Sequence, residues 1–334
     1  MDGLGEAGGV IVSCTMKQLL AGYAVALGLV GCSSSPSTTV TPKPDASAAG
    51  VDAAPFDPEV VADASSFDAD GIIDARPYTL HVPASYVPGQ PTPLLVMFHG
   101  YGASGPLEEA YFDLTAASDT YGFLYAYGSG LIDQTGNRYW NATNACCDIY
   151  HSGVDDVAYF DAIVDDVTSK ETVDPKQIYV IGHSNGGFMT HRLACQRTGT
   201  VAAIVSLAGA VYLDPTLCTP SEKISVAEVH GNADETIFYD GGTTDEGVYP
   251  SAPVTVATWA AKNGCTGSIA PTGATLDLDT TIGGNQTTIS AYAGCPAGID
   301  VQLWTINGGP HVPQLPTPGW GDAVWAFLSA HPKH

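Results

Sequence analysis

The sequence predicts an α/β fold: a mostly parallel central sheet with helices on both faces, forming a single domain over residues 76–334. Three observations predict it. Short apolar runs rich in β-branched residues alternate with helix-compatible stretches, as a parallel sheet with crossover helices requires. The clearest of these runs, LLVMFH from Leu94 to His99, is apolar almost throughout, which marks a strand buried on both faces. A third run, Ile178 to Gly182, breaks directly into Gly182-His183-Ser184-Asn185-Gly186, the signature of a sharp strand-to-helix turn.

Taken in chain order, Tyr78 to Val82 reads as an opening edge strand and Leu94 to His99 as a buried one. Gly122 to Tyr127 is a third strand. The stretch from Asp156 to about Lys170 is a helix, because Val157, Phe160, Val164 and Val167 share one face and Asp156 stands near the N-cap. Ile178 to Gly182 precedes the turn and Val201 to Leu207 follows the next helix. Ile224 to His230 and Val301 to Ile306 complete the series.

Upstream of this domain the composition changes twice. Met16-Lys17 is a charged start, expected to be the true beginning because Asp2 and Glu6 do not suit the front of an export signal. Leu19 to Val30 is an apolar run too short to span a bilayer. It ends in Leu29-Val30-Gly31-Cys32, which resembles the lipobox of bacterial lipoproteins, so residues 1–32 are expected to be a leader with Cys32 as the lipidated residue. Residues 33–75 are Ser, Thr, Pro, Ala and Asp with eight acidic side chains and few large apolar ones. Such a segment cannot bury enough surface to offset its ordering entropy, and it reads as a disordered, self-repelling tether.

The formal charge of −24, with 11 Lys plus Arg, argues against nucleic acid or an anionic membrane surface as a partner, since both need clustered cations. A neutral substrate is expected, with membrane contact only through the lipid anchor and the chain a monomer. Eight cysteines point to an oxidising, extracytoplasmic compartment. Six of them fall in the folded domain, and their spacing suggests no zinc site. Cys265 and Cys295 are expected to pair. Cys146 and Cys147 are expected to bond to Cys195 and Cys218 rather than to each other, in an order the spacing leaves open.

The chemistry resides in the ends of the strands. A serine on a tight turn between glycines is exposed to a base, and the N–H of the next residue points at an oxyanion formed as the serine attacks. That makes Ser184 the candidate nucleophile and Asn185 a backbone donor. Asp234 follows one late strand and His311 follows another, so the order Ser184, Asp234, His311 is that of α/β hydrolases, each residue just past a strand end. Asp240 and Glu235 are the rivals of Asp234, while His230 reads as a hydrogen-bonded structural residue. The second oxyanion donor is expected from His99-Gly100-Tyr101-Gly102, with the Tyr101 N–H as candidate. The nine histidines lack paired ligand spacing and no dinucleotide fingerprint is present, so neither metal nor cofactor is expected.

LLVMFHG at Leu94, WNATNACC at Trp140, GVDDVAYF at Gly153, YVIGHSNGGFMTHRLAC at Tyr179, HGNADETIFYDGG at His230 and NGGPH at Asn307 occur in order over nearly the whole domain. In these stretches the chain resembles the secreted polyhydroxybutyrate depolymerase and feruloyl esterase family of α/β hydrolases. The resemblance implies ester hydrolysis through an acyl-enzyme, with Ser184, Asp234 and His311 as triad and Tyr101 beside the oxyanion hole. Members usually carry Thr-Trp-Pro directly after the histidine. Here Val312-Pro313-Gln314 follows, and Trp320, Trp140 and Tyr239 are the candidates for an aromatic substrate-binding wall. The expected substrate is a polyester oligomer or a feruloyl or acetyl ester of plant polysaccharide. Two other classes are a serine peptidase of prolyl-oligopeptidase type, for which the chain lacks room for a propeller, and a non-catalytic binding protein on a hydrolase scaffold.

Overall fold

The computed structural model describes residues 69–333. The leader with Met16 and Cys32, and residues 33–68 of the tether, lie outside the described residues. Seven helices are α1 (Ala69–Ala75), α2 (Gly105–Phe112), α3 (Leu114–Tyr121), α4 (Asp156–Lys170), α5 (Asn185–Gln196), α6 (Ala252–Asn263) and α7 (Gly319–Ser329). The strands are β1 (Tyr78–His81), β2 (Thr92–Phe98), β3 (Leu124–Gly128), β4 (Leu131–Ile132), β5 (Arg138–Tyr139), β6 (Val173–His183), β7 (Ala203–Leu207), β8 (Ser225–Gly231), β9 (Gly242–Thr243), β10 (Val248–Tyr249), β11 (Ile269–Leu276), β12 (Thr287–Tyr292) and β13 (Val301–Ile306).

Nine strands form one sheet in the order β1-β3-β2-β6-β7-β8-β13-β12-β11. The six central strands from β3 to β13 run parallel, and β1, β12 and β11 pair antiparallel at the margins. This is the α/β-hydrolase fold. Period-2 side-chain direction explains why the central runs are apolar throughout. Leu94, Val96 and Phe98 of β2 enter one core, with Phe160 of α4, Phe188 of α5 and Trp259 of α6. Leu95 and Met97 enter the other, with Leu114 of α3 and Trp320 and Trp325 of α7. Each face of the sheet thus has its own helical cover.

Helix α4 begins at Asp156, but its cap is Asp155, whose carboxylate accepts the Val157 and Ala158 N–H groups at 3.1 and 3.0 Å. Asp156 is instead buried, paired with Arg76 at 2.7 Å and accepting the Asn141 N–H at 2.7 Å. The adjacent acidic residues therefore divide the work, one capping the helix and the other anchoring the Trp140 loop.

Several expectations need correction. The tether does not extend to residue 75, because its last seven residues form α1, and Ile72 and Ile73 pack against the core. Two isoleucines give this short piece an apolar face that the surrounding Ala and Asp conceal in a composition window. Cys146 and Cys147 bond to each other, and Cys195 bonds to Cys218. Cys195, on the last turn of α5, and Cys218, just after a turn at Pro215–Leu217, stand with Cα atoms 4.8 Å apart. Each satisfies the other, which leaves Cys146 and Cys147 to pair between themselves. Cys265 and Cys295 are bonded as expected and close the base of the β11–β12 hairpin.

That hairpin carried no signal in the sequence. Residues 270–275 of β11 are exposed, so one flank of the strand never needed apolar side chains. Its pairing with β12 shifts register between Pro271 and Thr275, around Gly273 at φ 84°.

Candidate active site

Four loops converge at the carboxyl ends of the parallel strands: those after β2, β6, β8 and β13. Sites of open α/β sheets form at this edge because adjacent crossovers leave a crevice there. Ser184 sits between β6 and α5 with φ 55° and ψ −120°, a conformation that L-residues rarely adopt. The turn is held by the Ser184 N–H donating to the Leu207 carbonyl at 2.8 Å. Its tightness dictates the glycines. A Cβ on Gly182 would strike the Gly186 carbonyl, and one on Gly186 would strike the carbonyls of Phe98 and His99. Gly187 lies against Gly209, so α5 packs close to the sheet there.

The fold brings three of the expected side chains into one hydrogen-bonded line. Ser184 Oγ lies 2.9 Å from His311 Nε2, and His311 Nδ1 lies 2.7 Å from Asp234 Oδ2. The second oxygen of Asp234 accepts the N–H groups of Thr236 and Ile237 at 2.8 and 2.9 Å. Asp234 is buried, whereas its rivals Glu235 and Asp240 are exposed. Burial alone would raise the Asp234 pKa, but hydrogen bonds from His230 and His311 hold it well below the usual carboxylate range. An ionised Asp234 orients the imidazole with Nδ1 as donor, leaving Nε2 free to accept a proton from the serine.

Behind Asp234 runs a buried polar chain. His230 Nε2 faces the Ile237 carbonyl at 2.8 Å and Asp234 Oδ2 at 3.4 Å, and its Nδ1 lies 3.2 Å from Glu228. Glu228 also meets His191 at 2.8 Å, and His191 accepts the Trp259 indole N–H at 3.0 Å. Burial pushes the His230 imidazole down, yet acceptors on both nitrogens overcome it and raise its pKa to about 9. His230 is the hydrogen-bonded residue the sequence suggested, and it is also a buried cation. Glu228 carried no sequence signal, because its partners are set by strand register.

The loop after β2 brings Gly100 against the elbow; a Cβ there would lie 3.5 Å from that of Ser184. Tyr101 follows it. Among the described residues no hydrogen-bond partner takes the Tyr101 or the Asn185 N–H. The Tyr101 ring is turned away from this role: its hydroxyl donates to Asp133, and Gly102 N–H donates to the Arg138 carbonyl at 2.8 Å. His99 steadies the same loop. It donates from Nδ1 to the Gly100 carbonyl at 2.8 Å and accepts the Gly130 N–H at Nε2 at 2.9 Å, and burial pushes its pKa down to about 4.

Two of the three candidates for an aromatic wall, Trp140 and Trp320, lie in the cores instead. Trp140 is fully buried, donates its indole N–H to the His99 carbonyl at 2.9 Å and packs edge-on against Phe98. Its backbone N–H and carbonyl are both taken by the Asn185 side-chain amide, at 2.7 and 2.9 Å. Trp320 is 1% exposed in the second core beside Phe112. An indole without an open face cannot stack on a ligand, and the apolar cost of exposing it favours the core. Tyr239 is half-buried, edge-on to His230, with its hydroxyl on Thr305 at 2.9 Å.

Several known proteins are similar to this chain. Residues 87–252 match the family model described as phospholipase/carboxylesterase. Feruloyl esterase B of Piromyces equi is 29% identical over 263 residues, covering 76% of this chain and 45% of its own. A putative esterase, NocK, of Nocardia uniformis is 32% identical over 195 residues, covering 57% of this chain and 55% of its own. The chain thus spans about half the length of these two curated relatives. Feruloyl esterase D of Neurospora crassa is 26% identical over 278 residues, covering 76% of this chain and 82% of its own. Among solved structures, the acetyl xylan esterase from Aspergillus awamori shares the fold at a TM-score of 0.55 and 16% identity, over 76% of this chain and 93% of that one. The chain is thus similar to feruloyl esterases and to a carboxylesterase family model, and it shares the α/β-hydrolase fold.

Proposed function

We propose that the protein is a serine carboxylesterase that cleaves feruloyl or acetyl esters of plant polysaccharide, or polyester oligomers, through an acyl-enzyme. The observation that carries this reading is the line Ser184–His311–Asp234, at 2.9 and 2.7 Å, beside two uncommitted N–H groups. Ser184 Oγ attacks the ester carbonyl carbon as its proton passes to His311 Nε2. The oxyanion is received by the N–H groups of Tyr101 and Asn185, the latter at the positive start of α5. Collapse breaks the bond to the leaving alkoxide, which takes the proton from Nε2. Water then gives a proton to the same nitrogen and attacks the acyl carbon, and collapse breaks the bond to Ser184 Oγ, which takes that proton back as the acid leaves. Asp234 keeps the imidazole in the required tautomer throughout.

The surroundings of the reaction belong to the same proposal. Three disulfides support an extracytoplasmic setting; the Leu29-Val30-Gly31-Cys32 run supports Cys32 as a lipid anchor, and the same proposal takes the chain as a monomer. The acidic chain suits a neutral ester and argues against nucleic acid as a partner.

A panel of methyl ferulate, acetylated xylan, hydroxybutyrate oligomers and peptide p-nitroanilides tests the activity. Turnover of at least one ester class without peptide cleavage is expected; peptide cleavage without ester turnover overturns the proposal. The pH profile supplies a second check. Burial lowers the His311 pKa, Asp234 opposes this only in part, and nearby His183 adds to the lowering, so the pKa falls below the ordinary 6.5. Since the base must be neutral, kcat/KM is expected to rise with pH and reach half its plateau below pH 6.5. A midpoint above 7 would contradict His311 as the base.

A further inference from the structure

The line of Ser184, His311 and Asp234 leaves unused a second buried carboxylate and a second buried imidazole beside it. Glu108 on α2 is 3% exposed, and the His183 side chain is 8% exposed. One oxygen of Glu108 accepts the Gly100 N–H at 2.9 Å, and the other faces His183 Nδ1 at 3.3 Å. His183 Nε2 lies 3.0 Å from the main-chain oxygen of His311. A carbonyl can only accept, so Nε2 carries a proton, and the carboxylate opposite Nδ1 favours a second one. Burial pushes this imidazole down, but Glu108 outweighs it, and the pKa is raised.

Buried ion pairs are seldom a net source of stability, because desolvation consumes most of the attraction. What this pair connects is therefore more informative than that it exists. Gly100 belongs to the loop after β2, His183 to the last position of β6 at the elbow, and His311 to the loop after β13. Helix α2 adds a parallel tie one turn farther on, where the Tyr111 hydroxyl donates to the Pro313 carbonyl at 2.8 Å and the ring lies 5.5 Å from that of His183. We propose, on the basis of the esterase reading above, that Glu108 and His183 form a positioning pair holding the oxyanion loop in register with the imidazole of His311. Neither residue is catalytic. They act through Gly100, next to the Tyr101 donor, and through the main chain of His311.

The pair also has an electrostatic consequence. His183 is faced by Glu108 and Tyr111 from α2 and by His311 from the loop after β13, with Asp234 at longer range. His311 is faced by Asp234, His183 and His230, and the two ring centroids of His183 and His311 are 4.9 Å apart. A cation at His183 opposes a second positive charge on His311. Glu108→Gln keeps an acceptor for Gly100 but removes the carboxylate charge that favours a proton on His183 Nδ1. The acid limb of kcat/KM should then move to higher pH, an effect that loss of packing alone would not produce.

The test is steady-state hydrolysis of p-nitrophenyl acetate across pH by the full chain and its Glu108→Ala and Glu108→Gln variants, with Ser184→Ala alongside. Glu108→Ala is expected to lower kcat roughly 100-fold or more with little change in KM, as when one oxyanion donor is displaced. Glu108→Gln is expected to lower kcat on the order of tenfold, the weight of one charge-assisted hydrogen bond, and to shift the acid limb upward. Should the alanine variant fail to fold, the near-isosteric glutamine variant carries the test. Wild-type kcat with an unmoved limb in Glu108→Gln, or a loss confined to KM, overturns the proposal. If Ser184→Ala is inert while both Glu108 variants are unimpaired, only this pair's role fails; if Ser184→Ala stays active, the esterase reading itself falls.

Discussion

Replacing Ser184 by alanine is expected to lower turnover of short-chain p-nitrophenyl esters about a million-fold, the scale at which loss of a triad nucleophile is felt. The substitution removes only Oγ. The positive φ at residue 184 is imposed by the strand, the Leu207 carbonyl and the crowding at Gly182 and Gly186, so the elbow should survive. KM should change little, because the backbone donors remain. Thermal unfolding of the variant beside the wild type checks that the loss is chemical, and ester turnover within tenfold of wild type would end the assignment of Ser184.

Asp234→Asn has the second-largest expected effect, a fall of about 10⁴ in kcat. An amide has nearly the shape of the carboxylate but can turn its NH₂ toward His311 Nδ1, which then becomes the acceptor and leaves Nε2 protonated, unable to take the serine proton. This variant also differs from Ser184→Ala in its stability. His230 keeps Glu228 but loses one of its two carboxylate partners, so a buried cation becomes poorly compensated. A stability loss on the order of 3 kcal/mol is expected, readable in urea titrations. Combining the two substitutions should cost no more turnover than Ser184→Ala alone, because residues acting as one unit are not additive. A kcat for Asp234→Asn above a tenth of wild type would remove Asp234 from the line.

The residues legible in the sequence are those whose role is marked by what immediately precedes them. Ser184, Asp234 and His311 each follow an apolar run, and the fold gathers the ends of those runs at one edge. Val301–Ile306 and Asp156–Lys170 were readable for the same reason, since burial on both faces or on one face leaves a periodic trace. Trp140 and Trp320 show where such reading stops. An indole is equally at home in a core or a cleft, and only the packing of Phe98 and Phe112 against them decides. Glu108, His183, Glu228 and His191 are found through contacts between distant segments, for which local sequence holds no record. Helix α1 and the β11–β12 hairpin leave no such trace because neither buries a full face.

The outermost strand, β11, bears on how molecules of this protein meet one another. A sheet that ends in an open strand offers its free backbone groups as a template on which another chain can pair, and aggregation often begins there. At this margin the invitation is poor. Pro271 contributes no N–H, and the irregularity around Gly273 interrupts any regular ladder a visiting strand would need. The Cys265–Cys295 bond holds the hairpin closed at its base, so it is not readily exchanged with that of a neighbour. At the β11 margin the sheet therefore resists growing sideways onto a neighbouring molecule.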